Sequence, residues 1–301
     1  MTDLHRTRGR FIGIGRGTGR AMAAIFLAAT LTCCIGRVAA AAPELYRAKV
    51  TVTGQGEANR MLGFASCLED VLIKVSGALK LSGDPRLAAY KSQAKGFVTD
   101  YSYRDQFFGK PIRDEQGTRD RPYDLTVTFE ESRIDDILAA LGLKPWLSHR
   151  PRLALFVEME QGARNFIVAA DGAQSDLQRD ALLAAAEKRG MDIVLPGTEA
   201  LAKSNIIGAD LRTAPFPALA PIAAEQGGEV VLVGRLVWDD RDLGWLARWQ
   251  MEWGGRTHLW QVRGVTFDKA FRRGIGGAAQ ILSGNGDPVT RSSSAGGNKL
   301  H

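Results

Sequence analysis

Apolar residues recur at helical spacing between Glu57 and Val75. Ala58, Met61, Ala65, Leu68, Leu72 and Val75 follow at steps of three or four, which keeps them on one face of a helix with about 3.6 residues per turn. That face is expected to be buried. Asn59, Gly63, Ser66, Asp70 and Lys74 take the opposite side, where Asp70 and Lys74, four apart, suit a surface ion pair. Gly77 is placed to close the helix, because a residue tolerant of positive φ ends the last turn at little cost. Upstream, Leu45 to Thr53 (LYRAKVTVT) alternates at Ala48, Val50 and Val52 as a strand does, and Gly54-Gln55-Gly56 turns it into the helix.

Downstream, Ala94 to Tyr103 suits a strand, and Gly109 to Arg121 (GKPIRDEQGTRDR) reads as an exposed loop joining a hairpin. Tyr123, Leu125, Val127 and Phe129 alternate with Asp124, Thr126 and Thr128 as a half-buried strand. Glu131-Ser132 opens a short helix from Arg133 to Leu141, with Ile134, Ile137, Leu138 and Leu141 on one face and Gly142 at its end. Strand, helix, strand, strand, helix makes a small α+β layer over residues 43–146.

Two prolines, Pro145 and Pro151, bracket a crossing into a second domain, residues 150–283. Leu153 to Val157 is a continuous apolar run, as in a strand covered on both faces. A helix is expected from Ser175 to Arg189 with Leu177, Ala181, Leu182, Ala184 and Ala185 inward. A short strand at 192–195, another helix within 215–228 and a long strand at Val230 to Val237 come next. Strands separated by helices imply a partly parallel sheet. Then Trp245, Ala247, Trp249, Met251 and Trp253 alternate with Leu246, Arg248, Gln250 and Glu252, Gly254-Gly255 gives a two-residue hairpin turn, and Arg256 to Val262 returns. A helix from Gly264 to Ile281 closes the domain, and residues 284–301, rich in Gly, Ser and Asn, are expected to be disordered. The fold class is therefore α+β and α/β: two small sheet-and-helix domains, the second with a partly parallel sheet and a Trp-rich antiparallel meander.

Residues 1–41 are of a different kind. Arg6, Arg8, Arg10, Arg16 and Arg20 precede an uncharged run from Ala21 to Gly36, and Val38 to Ala41 supplies small residues, the order of a cleavable signal peptide. The run is shorter than the roughly 20 residues a spanning helix needs, although a retained amino-terminal anchor is the alternative. Gly13, Gly15 and Gly17 imitate a phosphate loop without a preceding strand. Thr32 before Cys33 is not the small residue that usually precedes a lipidated cysteine. This segment holds six Arg and one Asp, a net of plus five out of the chain's plus six, so residues 42–301 carry plus one. No general attraction to nucleic acid remains. Of three cysteines only Cys67 lies outside the segment, which leaves no pair for a disulfide there.

Candidate chemistry is sparse. Trp245, Trp249 and Trp253 fall at every fourth residue along one strand, either as an aromatic platform for sugar rings or a partner's apolar groups, or as the inward face under the last helix. Glu158 and Glu160 come after the apolar strand, at the place where open α/β sheets put their sites, and could act as acid and base; solvated loop charges are the other reading. Asp239, Asp240 and Asp242 share one turn, but Arg241 in their midst argues against a cation site. His149 and His258 are far apart, so no metal and no cofactor is expected. Arg150 stands where it could pair across the domain junction.

The strand with GQGEANRMLGFASCLEDVLIKVSG, the YDLTVTF strand, IDDILAALGLKPW and RPRLALFVEM together resemble a bacterial family of exported proteins catalogued as domain of unknown function 2066. The resemblance implies export from a Gram-negative cytoplasm and supplies no catalytic residue. The expected function is a periplasmic, non-enzymatic binding or assembly factor whose partner is an envelope protein or cell-wall component, with membrane contact only through an uncleaved amino terminus. The alternative is an envelope hydrolase that uses Glu158 beside the tryptophan platform on glycan or peptide.

Overall fold

A turn of helix, α1 (Ala42–Leu45), leads into β1 (Arg47–Thr53) and α2 (Glu57–Ser76), the helix whose periodicity dominates the sequence. Gly77 ends it at φ 73°, in the left-handed region, where its N–H donates to the Ile73 carbonyl. After α3 (Ala88–Ser92) come β2 (Val98–Asp105), β3 (Pro122–Phe129) and α4 (Glu131–Ala140). The structure is a computed structural model, and it describes residues 42–109, 121–206, 208–213 and 216–288. Residues 110–120 of the expected loop lie outside that range; the strands on either side of it pair antiparallel. Ala94–Phe97, expected as the start of a strand, is a tight helical turn, and β2 begins at Val98.

The first sheet has the order β1-β3-β2, all antiparallel. Leu125, Val127 and Phe129 point to a core shared with Phe64, Leu68, Val71 and Leu72 of α2 and Ile134 and Leu138 of α4. The second half of α2 departs from the expected two-sided pattern. Every residue from Cys67 to Leu79 except Glu69 is buried, and so is Gly63. The reason is that α2 is covered twice, by its own sheet and by α5 (Asp176–Arg189) of the second half. Asp70 does not meet Lys74. It pairs with Lys188 at 2.7 Å and Arg189 at 3.4 Å on α5, whereas Lys74 donates to the carbonyl of Arg47 at 2.8 Å.

The second sheet begins with β4 (Leu153–Gln161) and β5 (Arg164–Ile167), and after α5 adds β6 (Ile193–Val194). Three helices, α6 (Thr198–Lys203), α7 (Gly208–Leu211) and α8 (Phe216–Glu225), precede β7 (Val230–Asp239), β8 (Gly244–Trp253), β9 (Arg256–Val265) and α9 (Phe267–Leu282). The order is β5-β4-β7-β8-β9, with β6 beside β4; β4 is parallel to β6 and β7, and the other neighbours are antiparallel. The chain is thus a mixed α and β protein with two sheets, one partly parallel, and from Pro43 onward it forms one compact unit.

Alternation sets the layers of this sheet. Leu153, Leu155 and Val157 face α5 and α9, and Ala154, Phe156 and Val233 face α6, α7 and α8. On α5 the inward residues are Leu182, Ala185 and Ala186; Leu177 is 71% exposed and Ala184 is exposed, contrary to expectation. Leu177 belongs to the first turn of the helix. Gly254 and Gly255 turn the β8–β9 hairpin at φ 58° and 72°, as a type I′ turn requires. Thr266 caps α9 by accepting from the Lys269 N–H, so Gly264 and Val265, expected in the helix, finish β9. Residues 284–288, at the head of the expected disordered tail, are tied back: Asn285 donates to the Ser76 carbonyl at 2.9 Å, and Gln280 to that of Asp287 at 3.0 Å.

Candidate functional site

Glu158 is not at a strand exit. β4 continues to Gln161, and Glu158 lies inside it with no exposed surface. Its neighbour in register on β7 is Arg235, which breaks an otherwise apolar strand on the same face as Val231 and Val233. Arg235 donates through Nε to Glu158 at 3.0 Å and through Nη2 to Glu160 at 2.7 Å. Asn165 on β5 donates to the other Glu158 oxygen at 2.8 Å. Arg212, after α7, stands 3.4 Å from Glu160 and 3.7 Å from Glu158. Gly208 closes the cluster from above, since a Cβ there would meet a Glu158 oxygen at 2.8 Å.

Two carboxylates and two guanidinium groups therefore terminate the apolar layer between the sheet and α6 to α8. Both oxygens of Glu158 are hydrogen-bonded, and water does not reach them. A carboxylate so enclosed holds structure and cannot take a proton from a substrate in solution. Arg235, Arg212 and Asn165 did not figure among the sequence candidates. A single charge in the run VVLVGRLV was the available signal, because a buried guanidinium demands a counter-charge and the facing strand offers Glu158.

The tryptophans separate. Trp245 and Trp249 are buried, and Trp253, at the hairpin end, is 41% exposed, so no continuous aromatic strip faces solvent. Trp249 packs edge-on against Phe271 of α9, with ring centroids 6.5 Å apart. Its closest neighbours are glycines: a Cβ at Gly274 would stand 2.2 Å from the indole and one at Gly234 2.5 Å. Trp253 lines an open cleft of about 260 Å³ with Arg256, His258 and Asp287, in which His258 Nδ1 lies 2.5 Å from the Asp287 carboxylate.

Arg150 joins the two halves of the chain. Its Nη2 donates to the carbonyls of Lys74 at 2.8 Å and Trp146 at 2.9 Å, and its Nη1 to those of Arg189 at 3.1 Å and Gly190 at 3.3 Å. The guanidinium thus covers the carboxyl-terminal ends of α2 and α5, where unpaired carbonyls and the helix dipoles concentrate negative potential. It also sits over the Trp146 ring, 4.3 Å from the centroid. Burial pushes its pKa down to about 10, which leaves it charged at neutral pH.

The remaining candidates are peripheral. Asp239 accepts from the N–H of Arg241, which with Asp242 holds its carboxyl below the usual range, and Asp240 accepts from the Trp238 indole. Among the described residues no group of three His, Cys, Asp or Glu side chains could hold a metal ion, and no described helix is long and apolar enough to cross a membrane. His149 pairs with Glu229 at 2.7 Å, far from His258.

A family described as a domain of unknown function (DUF8605) matches residues 39–147, the first sheet and its helices. This corrects the resemblance drawn from the sequence, since the matching family is a different one from domain of unknown function 2066. The motifs behind that resemblance, a strand entering a helix of small and apolar residues, describe a packing solution that unrelated families share. No curated protein and no solved structure matches the chain.

Proposed function

We propose that this chain is a non-enzymatic binding or assembly factor that works in the cell envelope after export. The observation that carries the binding role is the uncovered face of the second sheet. Helices α6 to α8 cover β4, β7 and β5. Among the described residues no helix covers the same face over β8 and β9, and Arg248, Gln250 and Glu252 lie beside Gln261, Leu259 and Thr257 in register. Leu259 is largely exposed there, and a mostly polar strand surface around one exposed apolar side chain suits a macromolecular partner better than a small substrate. The export half of the proposal is supported by the order of basic, apolar and small residues in the first 41 positions.

The test is affinity capture of the carboxyl-terminally tagged chain from its native envelope after reversible crosslinking, beside a variant carrying Arg248→Glu and Leu259→Asp. Mass spectrometry identifies what is captured and reads the chain's own amino terminus. The expected result is a specific envelope partner that the variant loses, on a chain cleaved near Ala40. Equal capture by both forms removes the open face as the site, and an intact amino terminus on a cytosolic chain removes export.

A further inference from the structure

The strand β2 is an outer strand of the first sheet, and its sequence is self-complementary. β3 lies on one side of it and, among the described residues, no strand lies on the other. Thr99, Asp100, Tyr101, Ser102 and Arg104 are exposed. Uncovered strand edges invite pairing, and proteins commonly guard them with like charges or proline. The free edges of β1 and β9 conform to that practice: β1 carries Arg47 and Lys49, with the Arg47 carbonyl already taken by Lys74, and β9 carries Arg256 and Arg263. Between Val98 and Asp105, by contrast, β2 reads VTDYSYRD, in which Asp100 and Arg104 are placed symmetrically about Ser102 and Asp105 falls opposite Thr99 in the same register.

Backbone parity fits the same centre. The Gln106 N–H donates to the Pro122 carbonyl, and the pairs Arg104↔Asp124 and Ser102↔Thr126 continue that ladder. Even-numbered residues therefore turn their backbone groups toward β3, and Tyr101 and Tyr103 turn theirs outward. We propose that β2 pairs antiparallel with β2 of a second copy of this chain, with Ser102 on the twofold axis. Tyr101 then exchanges backbone hydrogen bonds with the partner's Tyr103, and Asp100 lies opposite the partner's Arg104, twice over by symmetry. Centring on Asp100 or Arg104 would oppose like charges, and centring on either tyrosine separates the ion pairs. Arg104 already contacts Asp124 at 2.5 Å, but its side chain is 76% exposed and its five N–H groups can serve a second carboxylate. The result is one continuous antiparallel sheet across the dimer. It is independent of the open face of β8 and β9, which belongs to the other sheet.

Two measurements test this. In a chain whose Cys33 and Cys34 are replaced by serine, Ser102→Cys should form an intermolecular disulfide on mild oxidation, since paired Cα atoms at a non-hydrogen-bonded site lie about 4.5 Å apart. Asp100→Cys in the same background should not, because its twofold equivalent is about 13 Å away. Sedimentation of the otherwise unaltered chain should show a dimer at about 100 μM, and Asp100→Arg should weaken it by roughly tenfold or more while circular dichroism stays unchanged. A monomer at that concentration overturns the proposal. So does a dimer indifferent to Asp100→Arg, or cross-linking no more efficient at 102 than at 100.

Discussion

The indole of Trp249 on β8 rests directly on the backbone of Gly274 on α9, so close that a methyl group at 274 would stand 2.2 Å from the ring. Gly234 on β7 confines it from the strand side. Gly274→Ala is therefore expected to lower stability by about 1–3 kcal/mol through overpacking. Alanine is the better helix former by about 1 kcal/mol, so the sign of the change separates packing from propensity. Urea unfolding monitored by tryptophan fluorescence reads it, and a raised midpoint would mean that the ring has room to move.

With one planar fork Arg150 serves three carbonyls at the ends of two helices, those of Lys74, Arg189 and Gly190, and the Trp146 carbonyl in the crossing. A lysine ammonium is a point donor and cannot span both ends. Arg150→Lys should cost about 2–3 kcal/mol, because at least one helix end loses its donor while staying buried. Thermal unfolding of the purified variant tests this, and a midpoint equal to that of the parent protein would show that water satisfies those carbonyls instead.

Cys67 is buried on α2, and desolvation, helped by Asp70, pushes its thiol up to about 12 from 9.0. The native state therefore keeps a proton that the unfolded chain loses above pH 9. Stability from this source is intact below pH 9 and drains as pH rises toward 12, by about 1.4 kcal/mol at pH 10. Unfolding free energies measured from pH 8 to 10.5 should fall more gently in Cys67→Ala than in the parent protein. Parallel slopes would show that the thiol does not contribute.

Glu158→Gln keeps the shape and removes the charge. Arg235 then retains only Glu160, and the loss should be about 1–3 kcal/mol, below the cost of stranding a fully buried cation because Glu160 persists. Glu158→Leu and Arg235→Met together should cost less than the sum of the two single replacements, and denaturation of these two singles and the double variant completes the cycle. An additive double variant would mean that the two residues do not interact.

Much of the fold was legible in the sequence. The helix 57–76, the strand 122–129, the partly parallel second sheet and the Gly254-Gly255 hairpin all result from local periodicity and turn chemistry, which a single chain displays directly. What escaped were the consequences of a second neighbour. Asp70 and Lys74 read as surface residues because one helix face suffices to bury a helix on one sheet, and nothing local announces that α5 covers the other side. Glu158 read as a strand exit because a charge ordinarily ends an apolar run, and the cation that compensates its burial, Arg235, is seventy-seven residues away. The glycines of α9 went without comment in the sequence, because the rings of Trp249 and Trp260 that fill the space they leave come from other strands.

The matched family ends at residue 147, at the crossing between the sheets, yet the chain cannot be parted cleanly there. Asp70 would be left facing solvent without Lys188 and Arg189, the Ser76 carbonyl without Asn285, and Leu79 without the backbone of Gly276. The homology unit and the folding unit are thus different lengths of the same polypeptide. Within this chain the wall for the far side of α2 is thus supplied from outside the matched stretch, by Lys188, Arg189, Gly276 and Asn285.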